Sequence, residues 1–149
     1  MDLKENKPLK AVTSSARRSF KTHSYRESIG YALEGLFFAF KQERNIRFQS
    51  VMMGFVILCA FFFGVSRVEW VILLLCCLMV LAAELANTCV EWLVDLVTDN
   101  HYSLIAKRVK DIAAGTVFLT AVFSVVIGGI IFIPYLLSLI HISEPTRPY

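Results

Sequence analysis

The sequence predicts an all-α integral membrane protein with three transmembrane helices, preceded by an amphipathic helix on the membrane surface. Two observations carry this prediction. Of the 149 residues 56% are hydrophobic, with a mean hydropathy of +0.61, and the apolar residues gather in three long stretches after residue 48. A soluble domain of this size seldom has such a composition. Residues 1–48 are polar and contain ten of the fifteen Lys and Arg residues, which is typical of a cytoplasmic segment before a first span.

The segment before the first span divides into two parts. Residues 1–24 have no apolar period and are predicted to be a mobile cytoplasmic lead. From Tyr25 onward the apolar residues recur at helical spacing, which predicts an amphipathic helix along the membrane surface. A helix packed on its own bundle is an equal alternative. The apolar positions are Ile29, Leu33, Leu36, Phe37 and Phe40.

Three spans follow. The first is predicted at residues 48–65, which at 1.5 Å per residue cover roughly 27 Å, close to the thickness of a hydrocarbon core. The motif SRVE (66–69) is predicted to be a turn, and the second span to cover residues 70–97. A polar loop, TDNHYSLIAKRVKD, is expected before the third span at residues 112–136.

Basic residues near the spans predict the orientation. They stand before the first and third spans, whereas the first turn contains only Arg67. By the positive-inside rule, the N-terminus and the second loop are cytoplasmic, in a bacterial inner membrane. The net charge of +3 is therefore interpreted as a sign of contact with anionic lipid headgroups and not with nucleic acid. The flanking residues are Lys41, Arg44, Arg47, Lys107, Arg108 and Lys110.

The C-terminal residues 137–149 are set apart from the membrane domain at residues 25–136. Residues 137–147 look like the translation of a sequencing-library adapter, so an artefactual tail is predicted and excluded from the functional argument.

A polar stripe marks the end of the second span, in the motif ELANTCVEWLVD. Glu84, Asn87, Glu91 and Asp95 lie within about 80° of one another on a helix. A carboxylate inside a membrane costs about 3 kcal/mol or more, so such residues face a protein interior or a wet cavity. Three spans offer little interior, which favours a homo-oligomer with sites at its interfaces. The alternative is a stripe that only joins helices through hydrogen bonds.

The stripe, together with polar residues from two other segments, suits phosphoryl transfer from a nucleotide to a lipid hydroxyl. Glu91 with Glu43 could share Mg²⁺, which takes oxygen ligands and bridges phosphates. The deeper Glu84 suits a general base, and Lys110 could neutralise phosphate oxygens beside Asp111. The sequence has no P-loop, protein-kinase glycine loop, Cys/His metal cluster or Gly-x-Ser-x-Gly elbow, so those enzyme classes are excluded.

Four motifs together resemble the small prokaryotic diacylglycerol kinase family. The first two are ELANTCVEWLVD (84–95) and AKRVKDIAAG (106–115), and the others are GYALEG (30–35) and ERNIRF (43–48). The ERNxR form resembles the Gram-positive branch, whose members act mainly as undecaprenol kinases. The resemblance covers residues 28–136.

The resemblance implies a role for individual residues. Glu84 would be the general base toward the lipid hydroxyl, and Glu43 and Glu91 would hold Mg²⁺ with ATP. It also implies a homotrimer whose active sites are shared between neighbouring protomers. The other implied cofactor-binding residues are Tyr31, Asn87, Asp99, Asn100, His101, Lys110 and Asp111.

Two functions remain open at this point. The first is an ATP-dependent lipid kinase, with either undecaprenol or diacylglycerol as the acceptor. The second is a non-enzymatic oligomer, either a channel or an accessory subunit, in which the stripe lines a pore or contacts a partner. A pore would need polar residues in both leaflets, yet the outer half of each span is almost uniformly apolar.

Overall fold

The computed structural model describes residues 24–142, which form four helices and no strand. Helices α2, α3 and α4 are each long and apolar enough to cross a membrane, which confirms the predicted class and the three predicted spans. Residues 1–23 of the predicted lead (1–24) and residues 143–149 of the predicted tail (137–149) lie outside the described residues. The helices are α1 (Tyr25–Gln42), α2 (Arg44–Phe63), α3 (Arg67–Thr98) and α4 (Leu104–Ile142).

The chain divides into two compact units after Leu36, within α1. The described part of the first unit is the beginning of α1, which has an acid, Glu27, in its first turn. Ile29 and Leu33 are exposed, and no residue of α1 is buried. The location of this helix on a membrane surface stays a prediction.

In the second unit, a single residue separates α1 from α2. Glu43 has extended backbone angles (φ −93°, ψ 120°), and its N–H donates to the carbonyl of Ala39 at 2.8 Å. Arg47 Nη1 donates to the carbonyl of Lys41 at 2.6 Å. A guanidinium group at this position satisfies a carbonyl that the end of α1 leaves unpaired. The break thus leaves the Glu43 carboxylate outside both helices.

The turn between α2 and α3 is shorter than predicted. Gly64 ends α2 in the left-handed region (φ 63°), and Ser66 begins α3 with a capping box. Ser66 Oγ accepts from the N–H of Glu69 at 3.4 Å, while Glu69 Oε2 accepts from the N–H of Ser66 at 2.7 Å. The motif SRVE was predicted to be a turn. This is wrong for residues 67–69, because the Ser-x-x-Glu spacing starts a helix.

We expect Gly64→Ala to destabilise the protein by about 1–2 kcal/mol, because a side chain in the left-handed region clashes with its own backbone. No atom lies within 4 Å of the added Cβ, so backbone strain is the expected cause. Unfolding in mixed micelles would measure the change. Gly54→Ala is the matched control, because Gly54 lies inside α2 with equal space and should gain about 0.5–1 kcal/mol. Equal effects of the two changes would contradict the backbone argument.

The buried core of the second unit lies near this turn. It consists of Ala60, Val65, Leu73 and Ile131, and α3 packs against both α2 and α4. Tyr135 Oη donates to Glu69 Oε2 at 2.8 Å, which joins α4 to the capping box. Most other large apolar side chains of the three long helices are exposed, as expected where lipid takes the place of a protein interior.

The predicted polar loop is largely helical. Asp99 and Asn100 end α3 with positive φ angles of 50° and 57°, which Asp and Asn tolerate better than most residues. After Ser103, α4 begins at Leu104, because the segment IAKRVK consists mostly of good helix formers. The loop is therefore residues 99–103, and Lys110 and Asp111 lie on a helix. At its other end α4 continues past residue 136 to Ile142.

Candidate active site at the α3–α4 loop end

Two buried polar side chains mark the candidate site. Glu84 and Asn87 are 4% and 6% exposed, and they are the buried polar residues in the part of the chain that the structure describes. Glu91 and Asp95 follow on the same helix and are half-buried. A buried carboxyl or amide group is costly unless it is hydrogen-bonded. The partners of these four residues therefore indicate what the stripe can do.

Three residues of the stripe take part in two separate hydrogen-bonded pairs. Gln49 Nε2, on α2, donates to Glu84 Oε2 at 3.2 Å. Asn87 Nδ2 donates to Glu91 Oε1 at 2.8 Å, one turn further along α3. Each amide leaves its oxygen buried without a hydrogen-bond partner within residues 24–142, namely Gln49 Oε1 and Asn87 Oδ1. Unpaired buried acceptors are uncommon and call for an explanation.

Glu43 reaches α3 through a tryptophan. Trp92 Nε1 donates to Glu43 Oε1 at 3.4 Å, and Trp92 directly follows Glu91 in the chain. The Trp92 ring packs edge-on against Phe38, with ring centroids 5.5 Å apart. Of the two predicted metal-binding acids, Glu91 therefore belongs to this turn of α3, and Glu43 is hydrogen-bonded to its tryptophan.

Lys110 and Asp111 have different partners. Lys110 Nζ contacts Asp95 Oδ1 at 2.5 Å, which joins α4 to the stripe. Asp111 Oδ2 accepts from Lys107 Nζ at 2.6 Å, one turn earlier on α4. The side chains of Lys110 and Asp95 are 35% and 45% exposed, so an incoming anion can reach the lysine.

The other predicted nucleotide residues are exposed. Asp99, Asn100 and His101 follow α3 directly, and His101 Nδ1 lies 3.2 Å from the carbonyl of Thr98. Tyr31 lies on α1 in the first unit and is 61% exposed. Their contacts with a nucleotide stay a prediction.

Two contacting residues were missed by sequence analysis, Gln49 and Trp92. The available signal for Gln49 was a glutamine inside the predicted first span, because a polar group at membrane depth needs a partner. Trp92 had no such signal, since an aromatic residue near a membrane surface is common.

The oxygen atoms at this end suit Mg²⁺ bound together with a nucleotide. In residues 24–142, no group of three or more His, Cys, Asp or Glu side chains could hold a metal ion by itself. Mg²⁺ in kinases is usually held by one or two carboxylates and by the phosphates of the substrate. Glu43, Glu91 and the unpaired Asn87 Oδ1 provide oxygens of the required kind.

An apolar groove of about 710 Å³ runs along the spans of the second unit. Residues of α2, α3 and α4 line it, among them Val56, Val80 and Val125. Gln49 also lines this groove and contacts Glu84. A long apolar molecule in the groove could thus present a polar end to the buried carboxylate.

Comparison with known proteins identifies the family. The profile described as "Prokaryotic diacylglycerol kinase" matches residues 30–132, a range that includes every predicted site residue. This chain belongs to the prokaryotic diacylglycerol kinase family. The match confirms the resemblance noted in the sequence and the prediction of a membrane lipid kinase, and it disfavours a channel or an accessory subunit.

Three known proteins are similar to this chain over most of its length. Undecaprenol kinase of Bacillus subtilis is 40% identical over 110 residues, 74% of this chain and 89% of its own length. Diacylglycerol kinase of Synechocystis is 38% identical over 112 residues, 75% of this chain and 64% of the relative. Diacylglycerol kinase of Haemophilus influenzae is 34% identical over 106 residues, 70% of this chain and 89% of the relative.

If Asp95 holds Lys110 in place for a phosphate, we expect Asp95→Asn to raise the KM for ATP about fivefold, with little change in kcat. The estimate corresponds to about 1 kcal/mol, a modest value because the ion pair is half-exposed. Initial rates at varied ATP would measure it. The control is the same change in a Lys110→Met background, where it should have no further effect. Independent, additive effects would contradict a role through Lys110.

Proposed function

We propose that this protein transfers the γ-phosphate of ATP to the primary hydroxyl of a membrane lipid alcohol, with undecaprenol as the favoured acceptor. The observation that carries the proposal is the buried Glu84, tied through Gln49 to an apolar groove. A carboxylate at that border suits a lipid alcohol, whose hydroxyl is the polar end of an apolar body. The name of the Bacillus subtilis relative supports undecaprenol.

In the proposed reaction, the lipid hydroxyl oxygen attacks the γ-phosphorus of ATP. A new oxygen–phosphorus bond forms, the bond to the β–γ bridging oxygen breaks, and ADP leaves. Glu84 accepts the hydroxyl proton. Mg²⁺, held by Glu43 and Glu91 with Asn87 ordering the site, would neutralise charge on the phosphate oxygens. The protein supplies position, a proton acceptor and a site that excludes water.

The remaining residues that the sequence predicted for the nucleotide site are proposed as its contacts. Lys110, held by Asp95, would neutralise phosphate oxygens, and the neighbouring Asp111 would accept hydrogen bonds from the nucleotide. Tyr31 would lie beside the nucleotide. The loop residues Asp99, Asn100 and His101 would border it.

We further propose a homotrimer in a bacterial inner membrane, with its N-terminus and its α3–α4 loop in the cytoplasm. The basic residues before α2 and at the start of α4 support this orientation. The exposed apolar side chains of α1 support a location on the membrane surface. Active sites shared between protomers would supply the enclosure that one chain of three spans lacks.

Diacylglycerol is the alternative acceptor, because relatives from Synechocystis and Haemophilus influenzae are named diacylglycerol kinases. Both lipids present a primary hydroxyl on an apolar body. The choice between them concerns the fit of the apolar chain in the groove and not the chemistry at Glu84.

The test uses the full chain in lipid nanodiscs with radiolabelled ATP, Mg²⁺, and either undecaprenol or dioleoylglycerol at equal mole fraction. We expect phosphorylated lipid from both, with kcat/KM for undecaprenol higher by about tenfold or more. A preference for dioleoylglycerol would reverse the choice of acceptor. The proposed function would be overturned if neither lipid were phosphorylated, whether or not ATP is hydrolysed.

A further inference from the structure

Gln49 lies where the apolar groove meets the candidate general base. It is one of the residues that line the groove, and its side chain is partly buried on α2. Its amide nitrogen donates to Glu84 Oε2 at 3.2 Å, across the contact between α2 and α3. Because an ionised carboxylate only accepts hydrogen bonds, the amide must present its nitrogen to Glu84 and its oxygen elsewhere.

The oxygen atom of the Gln49 amide has unusual surroundings. Gln49 Oε1 is buried and has no hydrogen-bond partner among the described residues. An acceptor left unpaired in a buried position destabilises the folded state, whereas a bond to it from a ligand removes that cost. An alcohol O–H at the end of a molecule in the groove is a donor of the required kind. A ketone, an ester or a hydrocarbon end would not satisfy this atom.

We infer that Gln49 positions the acceptor alcohol: its Nε2–H holds the Glu84 carboxylate in place, and its Oε1 receives the incoming hydroxyl beside that carboxylate. This inference rests on the proposed function and assigns to it a residue outside the nucleotide and metal sites. The O–H is held first by Gln49. It turns to Glu84 as the hydroxyl oxygen bonds to phosphorus, so the proton ends on Glu84 and Gln49 is unchanged.

The kinetic test compares Gln49→Met with the parent protein. Methionine has a similar length and suits the groove, but it has neither the N–H donor nor the oxygen acceptor. We expect kcat to fall about 10- to 100-fold, the usual effect of losing a hydrogen bond to a charged group, while the KM for ATP stays within about twofold. A residue that only supports the fold would not separate kcat from KM in this way.

Two further variants complete the kinetic comparison. Thr120→Val is the matched control, because it also removes a polar group from a long helix, but Thr120 does not line the groove and its Oγ1 donates to the carbonyl of Thr116 in its own helix at 3.1 Å. It should retain parental kcat. Gln49→Glu retains the length and the oxygen acceptors but loses the N–H donor, and its kcat should also fall. It gives the same comparison if Gln49→Met does not fold. Parental kcat in either folded Gln49 variant would overturn the inference.

A second measurement needs no turnover. Dicyclohexylcarbodiimide is an apolar reagent that modifies carboxyl groups, and mass spectrometry would give the rate of its reaction at Glu84 without nucleotide. Undecaprenol should slow this reaction in the parent and in Thr120→Val. In Gln49→Met the protection should require roughly 3–10-fold more lipid, as expected for one lost hydrogen bond. Equal protection in the parent and in Gln49→Met would overturn the role of Gln49. A parent that no lipid alcohol protects would instead overturn the proposed function.

Discussion

Glu84→Gln is expected to lower kcat for lipid phosphorylation by about 10³-fold, with little change in the KM for ATP. Glutamine has the shape of glutamate and can still bond to Gln49, but its amide cannot take the hydroxyl proton. The loss should therefore fall on the chemical step. Single-turnover measurements in nanodiscs, with nucleotide and lipid saturating, would isolate it.

The control for this change lies near the start of the same helix. Glu69→Gln also replaces a carboxylate of α3, but Glu69 contacts Ser66 and Tyr135 near the α2–α3 turn. It should lower stability and leave kcat at the parental level. If Glu84→Gln kept more than a tenth of parental kcat in a folded protein, Glu84 would not be the base.

Glu91→Gln is expected to lower kcat/KM for ATP by about 10²-fold and to raise the Mg²⁺ concentration that gives half the maximal rate. The change removes the negative charge that would hold the ion but keeps an oxygen that can accept from Asn87 Nδ2. Excess Mg²⁺ should restore part of the activity. Rates over a range of free Mg²⁺ at fixed ATP would measure the shift.

Asp95→Asn is the comparison for this second effect. Asp95 is a carboxylate on the same stripe, one turn beyond Glu91, but it contacts Lys110. Its replacement should raise the KM for ATP without moving the Mg²⁺ dependence. If both variants moved the Mg²⁺ dependence equally, the effect would come from the charge of the stripe and not from a ligand. An unchanged dependence in Glu91→Gln would remove Glu91 from the metal site.

The membrane fold follows from the sequence because its signals are long and redundant. Three apolar stretches, each long enough to span a bilayer, predicted three helices that the structure contains. The boundaries were less accurate. Capping decided them, through the Ser66 to Glu69 box at the start of α3 and the left-handed Asp99 and Asn100 at its end. A few local bonds set such boundaries, so hydropathy alone does not locate them.

Some features of the candidate site were also predictable from the sequence. The alignment of Glu84, Asn87, Glu91 and Asp95 was predictable, because residues three and four apart share one face of any helix. The motifs that surround these residues were sufficient to predict the family. Both inferences use information within one helix or one motif, which the order of residues contains directly.

The contacts between helices were decided only by tertiary structure. The sequence grouped Glu43 with Glu91 and Lys110 with Asp111, whereas the structure joins Glu43 to Trp92 and Lys110 to Asp95. Gln49 had no predicted role until its contact with Glu84 was known. Such partners depend on the rotation and depth of each helix against its neighbour, which are set by side-chain packing over the whole contact. The sequence by itself therefore determined which residues can do the chemistry, and only the tertiary structure decided which of them meet.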